Sequence, residues 1–288
     1  MDIVWQDLRY AVRSLIVEPT FNIAAVLALA IGIGGTTAIF SICQTVLFKP
    51  LPYTEPDRIV MAWEQLEGRT PQGFAPANFV DIRSRSTSFD HLAAINPSPE
   101  FTVTGSAGPE RIAGGAVSVN FFRVFGTQMA LGRDFLPAED QPGRNLVAIL
   151  TDQLWQQRFG RDPAIVGKSI TLSDSTYTVV GILPRDFELV SHASDFGGRN
   201  EFDIWIPLAL NLQRLQRGTH LLRVFGKLRA GRSQSAAQAE LDSIARELQL
   251  AHPSTNANRA MRLVSLSEQI VAAVRSPLLM LVGAVLVV

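Results

Sequence analysis

The stretch Leu221-Leu-Arg-Val-Phe-Gly-Lys-Leu228 reads as a strand, and Gly231-Arg232 turns the chain out of it. Ser233 is placed to cap a helix that runs to about Ala251. Along that helix Ala237, Leu241, Ile244, Ala245 and Leu248 fall on one apolar face. Pro253 ends it, and Met261-Arg-Leu-Val-Ser-Leu266 returns as a second strand. Strand, amphipathic helix and strand make a β-α-β unit over residues 219–268. Two strands alone are marginal in water, so the unit must recruit others. Strands from about residues 55–120 are the expected partners, with Val224 and Val264 in the shared sheet. In this arrangement Leu241→Asp should unfold the domain, whereas Gln238→Asp, on the polar side, should be nearly neutral.

Outward from this unit, residues from about 50 to 275 read as one α+β domain. Pro50, Pro52 and Pro56 keep the chain extended, and Ile59-Val-Met-Ala-Trp63 reads as the first strand. A short helix is expected from Asn78 to about Arg85. The middle, about 112–210, is rich in short strands, of which Tyr177-Thr-Val-Val-Gly-Ile-Leu183 before Pro184 is the clearest. Leu154 to Phe159 reads as a helical turn or two, closed by Gly160, and His192 to Asn200 as a polar loop. The outer parts form one subdomain and the middle is inserted into it.

The flanks are of another kind. From Pro19 to Phe48 there is no charged residue, between Glu18 and Lys49. A bilayer core needs roughly 20 apolar residues as a helix, and this run supplies them. It is longer than the apolar part of a cleaved signal peptide, so it reads as an uncleaved transmembrane helix over residues 19–48. Gly32, Gly34 and Gly35 give it a small-residue patch. Before it, Val4, Leu8, Val12 and Leu15 recur at helical spacing and predict an amphipathic interfacial helix over residues 1–18, in contact with membrane lipid. Residues 276–288, Ser276-Pro-Leu-Leu-Met-Leu-Val-Gly-Ala-Val-Leu-Val-Val288, read as the start of a second, truncated transmembrane helix.

Composition excludes several classes. Charged residues make up 18% of the chain, below the usual level of about 25%, and the formal net charge is zero. Nucleic acid is therefore not an expected partner. One cysteine, Cys43, allows no internal disulfide. His91, His192, His220 and His252 are scattered without metal-ligand spacing. Asp81, Asp134 and Asp186 lie near arginines and read as turn or surface ion pairs. Gly105-Ser106-Ala107-Gly108 lacks the first glycine of a nucleophile elbow. Val166-Gly-Lys-Ser169 resembles the end of a P-loop, but Asp162 stands where that loop needs glycine, and Ser169-Ile-Thr-Leu172 reads as strand and turn. No catalytic, cofactor-binding or metal residue is assigned, no cofactor is expected, and the chain does not read as an enzyme.

Several pieces together resemble MacB/FtsX-type ABC transporter permeases, in particular large permeases of the acidobacterial type. They are Leu29-Ala-Ile-Gly-Ile-Gly34, Val46-Leu-Phe-Lys-Pro-Leu-Pro-Tyr53, Pro56-Asp-Arg-Ile-Val60 and Asn120-Phe-Phe-Arg-Val-Phe-Gly126. Leu131-Gly-Arg-Asp-Phe135, Leu154 to Gly160, Tyr177 to Pro184 and Asp203-Ile-Trp-Ile-Pro207 continue the series in order. The resemblance implies an α+β extracytoplasmic domain of the MacB-like periplasmic core type over residues 49–275. It would hold a porter-like β-α-β subdomain with an inserted strand-rich subdomain, and be flanked by transmembrane helices. It further implies a permease subunit of the bacterial inner membrane, multi-pass when complete, with Met1 to Glu18 inside. A separate cytoplasmic ABC ATPase would act through the C-terminal region absent here, a second permease unit would pair with this one, and the outer domain would serve export or mechanotransmission. The competing reading is a membrane-anchored extracytoplasmic binding or sensor module.

Overall fold

The computed structural model describes residues 51–67, 69–97, 99–103, 108–190 and 201–272, with scattered helical positions between Thr20 and Thr37. The helix expected over 1–18, most of the span expected over 19–48, the tail 276–288, the loop 192–200 and most of the stretch 105–108 lie outside the described residues. Among the described residues no helix is long and apolar enough to cross a membrane. Those helical positions nevertheless expose Ile23, Val26, Leu27 and Ile33. The chain divides into two compact units, Met1–Pro50 with Val271–Val288, and Leu51–Ile270. The fold below is that of the second.

Its strands are β1 (Ile59–Leu66), β2 (Phe89–Asn96), β3 (Glu100–Val103), β4 (Glu110–Val117), β5 (Leu131–Gly132), β6 (Val147–Leu150), β7 (Ser169–Leu172), β8 (Ser175–Ile182), β9 (Ile204–Pro207), β10 (Arg223–Leu228) and β11 (Arg259–Ser265). Its helices are α1 (Pro76–Arg85), α2 (Phe121–Phe125), α3 (Asp152–Phe159), α4 (Gln234–Ala251) and α5 (Pro253–Asn256).

Strands β11, β1, β10 and β2 lie side by side, each antiparallel to its neighbour. Because β1 sits between β10 and β11, the β-α-β unit is split, and α4 crosses over the inserted strand. Alternation along β1 sends Val60 and Ala62 to the α4 side and Ile59, Met61 and Trp63 to the other. On the α4 side, Ala237, Leu241, Ile244, Ala245 and Leu248 join Val224, Met261 and Leu263, with Phe79 and Ile82 of α1 beside them. The Ser233 hydroxyl accepts from the Ala236 amide at 3.1 Å and so starts α4.

The outer edge of β11 would be a row of unpaired backbone groups. Glutamines of α4 cover it. Gln238 Nε2 donates to the Met261 carbonyl and the Leu263 amide donates to Gln238 Oε1, both at 2.7 Å. Gln234 reaches the Leu263 carbonyl and Gln249 the Arg259 carbonyl. The expectation that Gln238→Asp is neutral is therefore corrected. Helical periodicity puts Gln238 on the polar side, but the polar side here abuts a strand edge. Aspartate is too short to bridge to β11 and brings a charge against a carbonyl. Gln238→Asp should lower the unfolding free energy by about 1–2 kcal/mol, read as a drop in the urea midpoint at constant slope.

The strand-rich middle closes on itself. Strand β4 pairs with β3, β3 with β7, β7 with β8, β8 with β6, β6 with β9, and β9 in parallel with β4 again. Six strands form a ring whose interior takes every second side chain: Ile112 and Ala116, Ala148 and Leu150, Ile170 and Leu172, Ile204 and Ile206. On β8 the register shifts opposite Ala148 and Ile149, which lets both Val179 and Ile182 point inward. Strand β4 also pairs with β2 through Ile95–Val117 and Asn96–Ala116. The ring and the sheet are thus joined through a shared strand as well as through loops.

Candidate functional site

The sheet face away from α4 and the outside of the ring meet around α2. Phe121 stacks on Trp205 of β9 with ring centroids 5.7 Å apart, and Phe122 and Phe125 meet Phe187 at 5.5 and 6.2 Å. Phe225 of β10 joins Phe121 and Phe125 from the sheet side. The approach of Trp205 to β4 requires Gly115, where a Cβ would stand 2.8 Å from the indole ring. Four of the quoted family-like pieces supply this junction: the one ending at Tyr53, that at 120–126, that ending at Pro184 and that at 203–207. Sequence order scatters them and the fold brings them together.

Tyr53 ties the segment leaving the apolar run to this junction. Its ring is buried, 4.8 Å from that of Phe125. Its hydroxyl donates to the Glu188 carbonyl at 2.6 Å and accepts from the Val190 amide at 2.8 Å. Burial pushes the phenol well above its usual pKa, so it stays protonated and keeps its donor. The next residue, Thr54, donates from its amide to the Phe125 carbonyl and packs against Gly126, whose φ of 70° suits glycine. Sequence reading assigned Tyr53 to the resemblance only.

Beside the junction opens a cleft of about 640 Å³. Helix α3 forms one wall with Gln153, Gln156 and Gln157, and the segment held by Tyr53 contributes Arg185, Phe187 and Glu188. Trp205 is in its lining, 2% exposed, and its indole N–H has no acceptor among the described residues.

A second polar site lies at the far end of the sheet. Glu64 of β1 is fully buried. It accepts from Asn78 Nδ2 at 2.8 Å, while His220 Nδ1 stands 2.8 Å and Arg259 Nη1 3.6 Å from its other oxygen. Arg217 binds Asn78 and Asp81, and Asn256 of α5 binds Asn78. This network joins β1, α1, α5 and the 217–220 segment. Its geometry is that of a buried structural pair, not of a nucleophile with a base.

The remaining sequence candidates are dispersed. Asp81 pairs with Arg217 at 2.6 Å, Asp134 lies 3.9 Å from Arg123, and Asp186 is in no ion pair among the described residues. Burial pushes the Asp134 carboxyl up. Lys168 faces Asp162 at 3.4 Å, and strand β7 begins where a P-loop would start its helix. Among the described residues no group of His, Cys, Asp and Glu could hold a metal ion.

A family model described as the MacB-like periplasmic core domain matches residues 23–244. No curated protein sequence matches the chain. Among solved structures, the periplasmic region of MacB from Actinobacillus actinomycetemcomitans is similar with a TM-score of 0.52 at 12% identity, covering 83% of this chain and 98% of that one. A domain of a protein assigned as a permease, from Porphyromonas gingivalis, gives 0.55 at 13% identity, covering 75% and 93%. The extracellular domain of the noncanonic ABC-type transporter YknZ from Gram-positive bacteria gives 0.50 at 14%, covering 71% and 99%. At these identities the likeness is one of fold.

Proposed function

From the premise that this chain belongs to the MacB-like periplasmic core domain family, the domain of ABC transporter permeases, we propose that it is the permease subunit of a transporter driven by a separate cytoplasmic ATPase. The outer domain, residues 49–275 with about 112–210 as its inserted part, stands outside the inner membrane and serves export or mechanotransmission. Residues 19–48 cross the membrane, residues 276–288 begin a second span, and residues 1–18 lie along the lipid surface. A second permease unit completes the assembly.

One observation carries this reading. The strands next to the two ends of Leu51–Ile270 run side by side, with Val60 opposite Ser265. Both ends therefore leave from one end of the sheet, as a domain looped out between two spans requires. Apolar sequence continues beyond each of them, in 19–48 and in 276–288. A self-contained anchored sensor needs only one such run, which favours the permease.

The test is made on the full gene product in membranes with its ATPase. Spin labels at Leu212, which is 65% exposed, are placed in both permease units. Addition of ATP should shift the distance distribution between them. Unchanged distances in a complex that hydrolyses ATP would contradict the proposal.

A further inference from the structure

We propose that residues 51–58 act as a strap that holds the cleft beside α3 closed, and that displacing the strap opens it. The proposal goes beyond the permease reading and rests on the fold of Leu51–Ile270 alone.

The strap reaches the segment 184–190, which supplies Arg185, Phe187 and Glu188 to the cleft. Backbone groups of this segment have few partners. The Phe187 amide donates to the Pro184 carbonyl at 3.1 Å, a bond within the segment. Among the described residues, the hydrogen bonds that reach it from outside are the two of the Tyr53 hydroxyl, to the Glu188 carbonyl at 2.6 Å and from the Val190 amide at 2.8 Å. The rest of its attachment is apolar, with Phe187 against Phe122 and Phe125 and Leu189 in the same core. Removing the hydroxyl therefore strips the polar tie and leaves an aromatic ring against Phe125.

The strap is in turn pinned to the sheet. Lys227 of β10 is 8% exposed. Its Nζ donates to the Thr54 carbonyl at 3.2 Å and lies 3.0 Å from one carboxylate oxygen of Glu55. Arg58 holds the other oxygen at 2.6 Å. Between them Glu55 takes a φ of 56°, a left-handed conformation that a residue with a side chain keeps only where its surroundings fix it. Because the Tyr53 ring is buried, parting from the segment leaves its hydroxyl unpaired there, which is costly. Strap and segment therefore move together. The chain enters the strap shortly after the charge-free run from Pro19 to Phe48, so a shift of that run reaches the cleft wall through Tyr53.

The test uses the full chain in detergent micelles with Cys43 replaced by serine. Nitroxide labels at Gln156 and Arg185, exposed positions that line the cleft from α3 and from the segment, are read by double electron–electron resonance. Tyr53→Phe should broaden the distribution and move its mean at least about 2 Å longer. Lys227→Met should do the same, although Lys227 makes no hydrogen bond with the segment among the described residues. Tyr177→Phe, loss of a hydroxyl on β8, should leave the distance unchanged. A second label pair at Glu67 and Leu250, both exposed, should keep its distance in every variant, which separates opening of the cleft from general loosening. An unchanged Gln156–Arg185 distance in Lys227→Met, or in a folded Tyr53→Phe, would overturn the proposal. Equal lengthening in Tyr177→Phe, or a matching change in the second pair, would overturn it too. Should Tyr53→Phe fail to fold, Lys227→Met decides alone. The measurement involves neither ATP nor a second permease unit, so the strap and the permease reading fail separately.

Discussion

Leu241→Asp abolishes the folded outer domain. Leu241 is fully buried at the centre of the α4 face, against the sheet made by β11, β1, β10 and β2. Losing its burial removes about 1.5–3 kcal/mol. An unpaired carboxylate in the same place costs several kcal/mol more, whether it stays charged or takes up a proton. Together these approach the whole stability of a domain, about 5–15 kcal/mol. The split β-α-β topology enlarges the consequence, because α4 is the connection between β10 and β11 and also covers the edge of β11 through Gln234, Gln238 and Gln249. A thermal melt followed by circular dichroism should show no cooperative transition for Leu241→Asp. Leu250→Asp, on the same helix but 84% exposed, should melt like the parent.

Glu64→Ala should cost about 3–5 kcal/mol, because breaking a buried ionic cluster leaves its partners uncompensated. Those partners are Arg259 at 3.6 Å and His220 at 2.8 Å, both mostly buried, and the Asn78 side-chain amide keeps only Asn256 Oδ1, at 3.2 Å, as an acceptor. Glu64→Gln should cost less, since an amide oxygen can still accept from Asn78. The measurement is urea unfolding with the slope held fixed. A change within about 0.5 kcal/mol for Glu64→Ala, the range of an ordinary surface site, would remove the cluster from the account.

These residues also show what the sequence makes legible. Strand β8 and the Ser233 cap carry local signals, a β-branched run ended by proline and a hydroxyl before an amphipathic helix, so both are read without any fold. The pairing of β10 and β11 with β1 follows from an apolar helix face that needs a sheet to cover. Glu64 gives no such signal. In sequence it is a polar residue near the end of an apolar strand, indistinguishable from one facing water. Gln238 misleads, since periodicity separates polar from apolar but does not say that a strand edge lies on the polar side. Closure of the ring between β3 and β7 rests on Val103 opposite Leu172 and on the Ser173 amide donating to the Thr102 carbonyl at 2.7 Å, between residues distant in sequence. The cleft is assembled from α3, the 184–190 segment and β9, and no one of these carries a site motif. Tyr53 stood in a recognisable piece, yet its two bonds to Glu188 and Val190 are set by tertiary packing alone.

The most direct test of the central claim is sidedness. Leu250, 84% exposed on α4, is replaced by cysteine in a full-length protein from which Cys43 has been removed. A membrane-impermeant maleimide is then applied to intact cells with a permeabilised outer envelope, and again after the inner membrane is broken. Full labelling is expected before the inner membrane is opened if, as proposed, Leu51–Ile270 stands outside it. Labelling that begins only after lysis would place the domain in the cytoplasm and contradict the account.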